Sequence, residues 1–127
     1  MEFKITEEPG RVPVTLMEVN GRINLGSAGE LEQKAREAHA GGARDLILDL
    51  SGAPSVTSAG LSAILAIYKL YNQAGSAAGA AAAEGAKPRH FVLLNPTPEV
   101  LKVLKIAGFD RYLEIYMDRQ QAVDSFQ

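Results

Sequence analysis

Two adjacent hydroxyls, Thr57 and Ser58, are the side chains best placed to do chemistry, because of what lies on either side of them. Before them runs Leu46-Ile47-Leu48-Asp49-Leu50, a short apolar stretch bounded by a turn, which suits a buried strand. Ser51-Gly52-Ala53-Pro54 then breaks any regular pattern. After the break Leu61, Ile64, Leu65, Tyr68 and Tyr71 recur at helical spacing, which predicts a helix from Thr57 or Ser58 to about Gln73 with those residues as its core face. A hydroxyl at that start accepts from a free backbone N–H of the first turn, where the helix dipole is positive. Strand, loop and hydroxyl-capped helix together offer a place for an anion, a phosphoryl group or a partner's contact. The plainer reading is that Thr57 and Ser58 only cap the helix.

Other chemistry finds little support. His39 falls in the last turn of a predicted helix, where an imidazolium suits the dipole, and no second ligand stands at metal-binding spacing. Glu7-Glu8 is a pair of carboxylates in a predicted exposed turn, a poor place to raise a pKa by burial. Gly79 to Lys87 lacks the final hydroxyl and the preceding strand of a phosphate loop, and no Gly-x-Ser-x-Gly occurs. The chain has no cysteine, so disulfides and thiolate sites are excluded. No catalysis, no metal and no cofactor is expected.

With 127 residues, 46% of them hydrophobic and 22% charged, the sequence describes one globular domain with a modest core. The formal net charge is −2 and no Lys/Arg cluster forms a face, which argues against nucleic acid as a partner. No run of about 18 apolar residues and no leader pattern is present, so a soluble, cytoplasmic protein without membrane insertion is expected.

The elements that must position the hydroxyls follow from patterning. Phe3-Lys4-Ile5-Thr6 alternates as a first strand, and Glu7-Glu8-Pro9-Gly10 reads as a turn. A second strand spans Val12 to Ile23, with Pro13 confined to its edge or turn. Asn20-Gly21 suits either a hairpin turn or a bulge. Ser27-Ala28-Gly29-Glu30 has capping-box spacing before a helix carrying Leu31, Ala35 and Ala38, which Gly41-Gly42 ends. Residues 74–88 are an Ala/Gly-rich insert that reads as a mobile linker. His90 to Leu94 is a further apolar strand, and Thr97-Pro98-Glu99 starts a helix with Val100, Leu101, Leu104 and Ala107 as its stripe. Leu113 to Tyr116 is the last strand, and Asp118 caps a short helix bearing Ala122, Val123 and Phe126. Strands alternating with helices after two opening strands indicate an α/β domain with a mixed sheet.

Leu48-Asp49-Leu50-Ser51-Gly52, then Val56-Thr57-Ser58-Ala59-Gly60-Leu61 and an apolar helix, resembles the STAS domain of bacterial anti-sigma-factor antagonists. Val19 to Asn24 resembles the family's segment that leads from strand into the first helix, a reading preferred over a hairpin at Asn20-Gly21. Asn95 to Ile115 resembles the same family, so the likeness spans the chain apart from the insert. It implies a single domain over 1–127, with a sheet of four to five strands flanked by about four helices. It also implies a protein-binding switch in which Val56, Thr57, Ser58, Ala59, Gly60 and Leu61 dock on an anti-sigma kinase and relieve sigma-factor inhibition. The family's phosphoacceptor serine falls in the column of Ala59, which has no hydroxyl. Phosphorylation, if the chain uses it, is expected at Ser58 and next at Thr57. The other functions the resemblance implies are a STAS scaffold subunit of a membrane transporter's ATPase and a small-ligand sensor.

Overall fold

β3 (Leu46–Gly52) lies in the middle of a five-stranded sheet, and its composition explains why. Leu46, Ile47, Leu48 and Leu50 have no exposed surface, as a near-continuous apolar run requires when both faces of a sheet are covered. The computed structural model describes residues 2–8, 13–73, 90–111 and 113–126. Strand order follows chain order: β1 (Glu2–Glu8), β2 (Val14–Asn20), β3, β4 (Phe91–Leu94) and β5 (Ile115–Tyr116). β1 runs antiparallel to β2, with Ile5 opposite Met17, and the remaining neighbours are parallel.

The parallel strands are joined by α1 (Leu25–Ala40), α2 (Ser58–Gln73) and α3 (Pro98–Ile106). These three cover one face, where Leu31, Ile64, Ile67, Val100 and Leu104 pack against Leu46, Leu48, Leu50 and Leu93. α4 (Arg119–Asp124) covers the other through Ala122 and Val123, which pack with Phe126 against Leu16, Ile47, Val92 and Leu94. The expected mixed α/β sheet is what the chain forms, with four α-helices among the described residues. The Ala/Gly-rich insert, and Pro9-Gly10, lie outside the described residues.

Several local expectations are corrected. Glu7 and Glu8 are not a turn but the end of β1, paired with Thr15 and Val14, and Glu8 forms an ion pair with Arg119 of α4. β2 spans Val14–Asn20 rather than Val12 to Ile23, and Gly21 (φ 127°) then redirects the chain toward α1, as the resemblance over Val19 to Asn24 implies. The N-cap of α1 lies three residues before the expected Ser27. Asn24 is the N-cap, its side chain accepting from the Gly26 N–H at 3.0 Å, while Ser27 Oγ accepts from the Asn24 N–H at 3.0 Å. Ser27 thus closes the reciprocal box from inside the helix, because Asn24 supplies a capping oxygen one turn earlier. β5 is shorter than expected, with Leu113 buried outside the ladder.

The α2 stripe is also rotated. Ile64 and Tyr71 are buried as expected, but the centre of the face is Gly60, Ala63, Ile64 and Ile67, and Leu61, Leu65 and Tyr68 are only half-buried. Small residues at 60 and 63 let the helix approach its neighbours, and a count of large apolar residues passes over them. In α3, Val100 and Leu104 are buried, Leu101 is half-buried and Ala107, the C-cap, is exposed.

Candidate functional site

The start of α2 lies at the C-terminal ends of the parallel strands, held from both sides. Ile23, just after β2, forms a parallel bridge with Val56. The Ile23 N–H donates to the Ser55 carbonyl at 3.0 Å, and the Thr57 N–H donates to the Ile23 carbonyl at 2.9 Å. On the other side the hydroxyl of Thr97, the N-cap of α3, donates to the Ala53 carbonyl at 3.3 Å. All three bonds join segments far apart in sequence, so the fold fixes the loop between β3 and α2 in addition to its own turn, in which the Ala53 N–H donates to the Leu50 carbonyl at 3.0 Å.

Within that frame the six residues of the expected docking segment divide by exposure. Thr57 and Ser58 are exposed, Ala59 and Leu61 half-buried, and Val56 and Gly60 buried. Thr57 precedes the helix, its carbonyl accepting from the Leu61 N–H at 2.9 Å and its Oγ1 standing 3.5 Å from the Gly60 nitrogen. Ser58 opens the helix, and no acidic residue occupies the first turn to offset its positive end. Gly60 makes its close approach inside the domain: a Cβ there would lie 2.6 Å from Val56 Cγ2 and 2.7 Å from both Ile23 Cγ2 and the Ile23 carbonyl oxygen. Residues on the surface here are Thr57 and Ser58 with parts of Ala59 and Leu61, while Val56 and Gly60 position them. Sequence reasoning missed Ile23 as the brace of the site. Its only signal was an apolar residue standing past the glycine that ends the strand.

The titratable groups with displaced equilibria sit at the opposite end of the sheet. His39 meets Tyr71 edge-on, with ring centroids 4.9 Å apart, and Tyr71 donates its hydroxyl to the Ala35 carbonyl at 3.0 Å. Burial pushes the Tyr71 phenol up to about 12. His39 Nε2 is buried without a hydrogen-bond partner among the described residues, and burial followed by the Arg44 guanidinium holds its pKa below 6.5. Asp45, 3.0 Å from His90 Nδ1, is raised by burial, which outweighs the lowering by the His90 hydrogen bond and charge. These groups lock α1, α2 and the first residues of β3 and β4 together.

A pH dependence follows from them. An unfolded histidine takes up its proton near 6.5, before the folded His39 does, so His39 contributes stability at neutral pH that is lost as pH falls below 6.5. Asp45 acts in the opposite sense, adding stability as pH falls toward the carboxylate range. Urea midpoints of the wild type are expected to fall from pH 7.5 toward pH 5.5, and those of His39→Gln to fall less. Parallel curves for the two proteins would contradict this account of His39.

Among the described residues no three His, Asp or Glu side chains gather to hold a metal ion, and no helix is long and apolar enough to cross a membrane. A cleft of about 460 Å³ between β1, the start of β2 and the end of α1 lies away from Thr57 and Ser58.

Fold and site together define an α/β domain that presents a braced, uncharged helix start at the C-terminal edge of its sheet. The STAS domain profile matches residues 4–78, well over half of the 127 residues, and the chain belongs to the STAS domain family. No curated protein sequence matches it. A Thermotoga maritima protein assigned as an anti-sigma factor antagonist has a similar structure, with TM-score 0.74 and 23% identity over 95% of this chain and 89% of that one. The phosphorylated form of the Bacillus cell fate determinant SpoIIAA aligns with TM-score 0.67 and 15% identity over 99% of this chain and all of its own. The murine anion transporter Slc26a9 contains a similar domain, with TM-score 0.67 and 18% identity over 87% of this chain and 17% of the transporter. The likeness to these structures is one of fold.

Proposed function

We propose that this chain is a protein-binding switch of the anti-sigma-factor-antagonist kind, without catalysis of its own. The start of α2 docks on an anti-sigma kinase, and the bound kinase no longer inhibits its sigma factor. The observation that carries this reading is the exposed pair Thr57 and Ser58 at a helix start with no acid in its first turn, braced by Ile23 and Thr97. Such a rigid patch binds with little ordering cost. Ser58 is the phosphoacceptor in this proposal. A phosphate there is stabilised within the domain by the free N–H groups of the first turn, yet puts charge into the middle of the contact and weakens docking by repulsion and desolvation.

Ser58→Asp is therefore expected to weaken binding to the cognate anti-sigma kinase by about tenfold or more, while Ser58→Ala binds as the wild type does. Calorimetric titration of the three proteins, with mass spectrometry after incubation with kinase and ATP, makes the comparison. Phosphate on a distant serine such as Ser125, at the end of α4, or unchanged binding by Ser58→Asp, would contradict the switch. A second reading has one observation in its favour: Ala59, which offers no acceptor in the family's usual column, suits a constitutive scaffold for a membrane transporter's ATPase, and a transporter domain shares the fold. Co-purification with a transport ATPase, rather than with an anti-sigma kinase, would favour it.

A further inference from the structure

The segment between β2 and α1 brings two more side chains to the face that carries Thr57 and Ser58. Leu25, the first residue of α1, is 84% exposed, whereas Ala28, Leu31 and Ala35 farther along the helix are buried. It stands two residues beyond Ile23, whose carbonyl holds the Thr57 N–H, so the first turns of α1 and α2 are neighbours. Its backbone is firmly set: Asn24 caps the helix, and the Ser27 hydroxyl donates to the Arg22 carbonyl at 2.6 Å. Scattered exposed leucines are ordinary. One held rigidly beside a braced helix start is placed as an anchor residue would be, since little freedom remains for binding to remove.

The electrostatics point the same way. Arg22 is exposed on this segment and forms no ion pair among the described residues. Neither α1 nor α2 has an acidic residue in its first turn. Two positive helix ends and a guanidinium therefore stand side by side with no carboxylate in either first turn to offset them.

We propose that Arg22 and Leu25 belong to the docking face, and that the partner surface they fit is an apolar socket edged by carboxylates. The inference rests on the protein-docking reading of the α2 start and extends it to the neighbouring helix. Leu25 fills the socket and supplies affinity through desolvation at the centre of the contact, while Arg22 steers the encounter.

The test titrates the full chain against each purified anti-sigma kinase of the source organism, comparing wild type, Leu25→Ala, Arg22→Glu and Ile106→Ala. Ile106 is an exposed apolar control at the end of α3, 77% exposed and outside the proposed face. Leu25→Ala is expected to weaken binding by about tenfold. Arg22→Glu slows association, by a factor that shrinks as salt is raised. Ile106→Ala binds as the wild type does, and all three variants keep the wild-type thermal midpoint because the altered side chains are exposed. Wild-type affinity in Leu25→Ala, alongside weakened binding by Ser58→Asp, would overturn the extension and leave the α2 site standing. A wild-type chain that binds none of these kinases would overturn both.

Discussion

Gly60→Ala is expected to destabilise the protein by about 2–3 kcal/mol, against the sign that helix propensity alone dictates. In an open helix the same change would stabilise by about 1 kcal/mol. Here the added methyl would stand 2.6 Å from Val56 Cγ2 and 2.7 Å from the Ile23 carbonyl oxygen, the second of these being backbone that cannot rotate away. Relief requires the segment between β2 and α1 to separate from α2, which pulls at the Ile23–Val56 bridge and the Thr57 N–H bond. Urea denaturation should show a lower midpoint with an unchanged slope. Wild-type or raised stability would mean that the two segments are not in contact, and that the brace of the site is absent.

Ile67→Ala is the second large effect, expected to cost about 3 kcal/mol, whereas Leu65→Ala two residues earlier costs about 1 kcal/mol. Ile67 has no exposed surface and lies in the cluster of Leu46, Leu48 and Leu93, so its truncation leaves a cavity between helix and sheet. Leu65 is half-buried at the flank of the same helix, and water already reaches the volume its side chain leaves. Denaturant midpoints of the two variants order the residues directly. Equal losses, or a larger loss for Leu65, would return the helix to the orientation that apolar spacing alone suggests.

That contrast shows what patterning conveys and what it omits. The order of strands and helices was legible because the central strands β3 and β4, buried on both faces, are short apolar runs, and because Thr97 and Asp118 are caps recognisable from their neighbours. The rotation of α2 was not, since Gly60 and Ala63 mark the closest packing and carry almost no hydrophobic signal. Glu7 and Glu8 read as a turn, yet they extend an edge strand whose pairing with Thr15 and Val14 is specified across the ladder. The α1 start moved because Asn24 and Ser27 both have capping oxygens, and only the carbonyl of Arg22, bonded by Ser27, fixes which serves first. Of the candidate site, the hydroxyls at a helix start followed from local sequence. The inward turn of Val56 and Gly60 depends on Ile23, which Thr57 meets across 34 residues of chain, a contact that no local spacing encodes.

The most direct test of the docking site is a hydrogen-exchange footprint of this chain, alone and saturated with an anti-sigma kinase that binds it. The amides of residues 57–62, at the solvent-facing start of α2, are expected to exchange more slowly in the complex, with those around residues 22–26 following. Amides of β1 and α3 should keep their free rates. Protection confined to β1, to α3 or to the cleft beside Arg44, with the α2 start unchanged, would contradict the account.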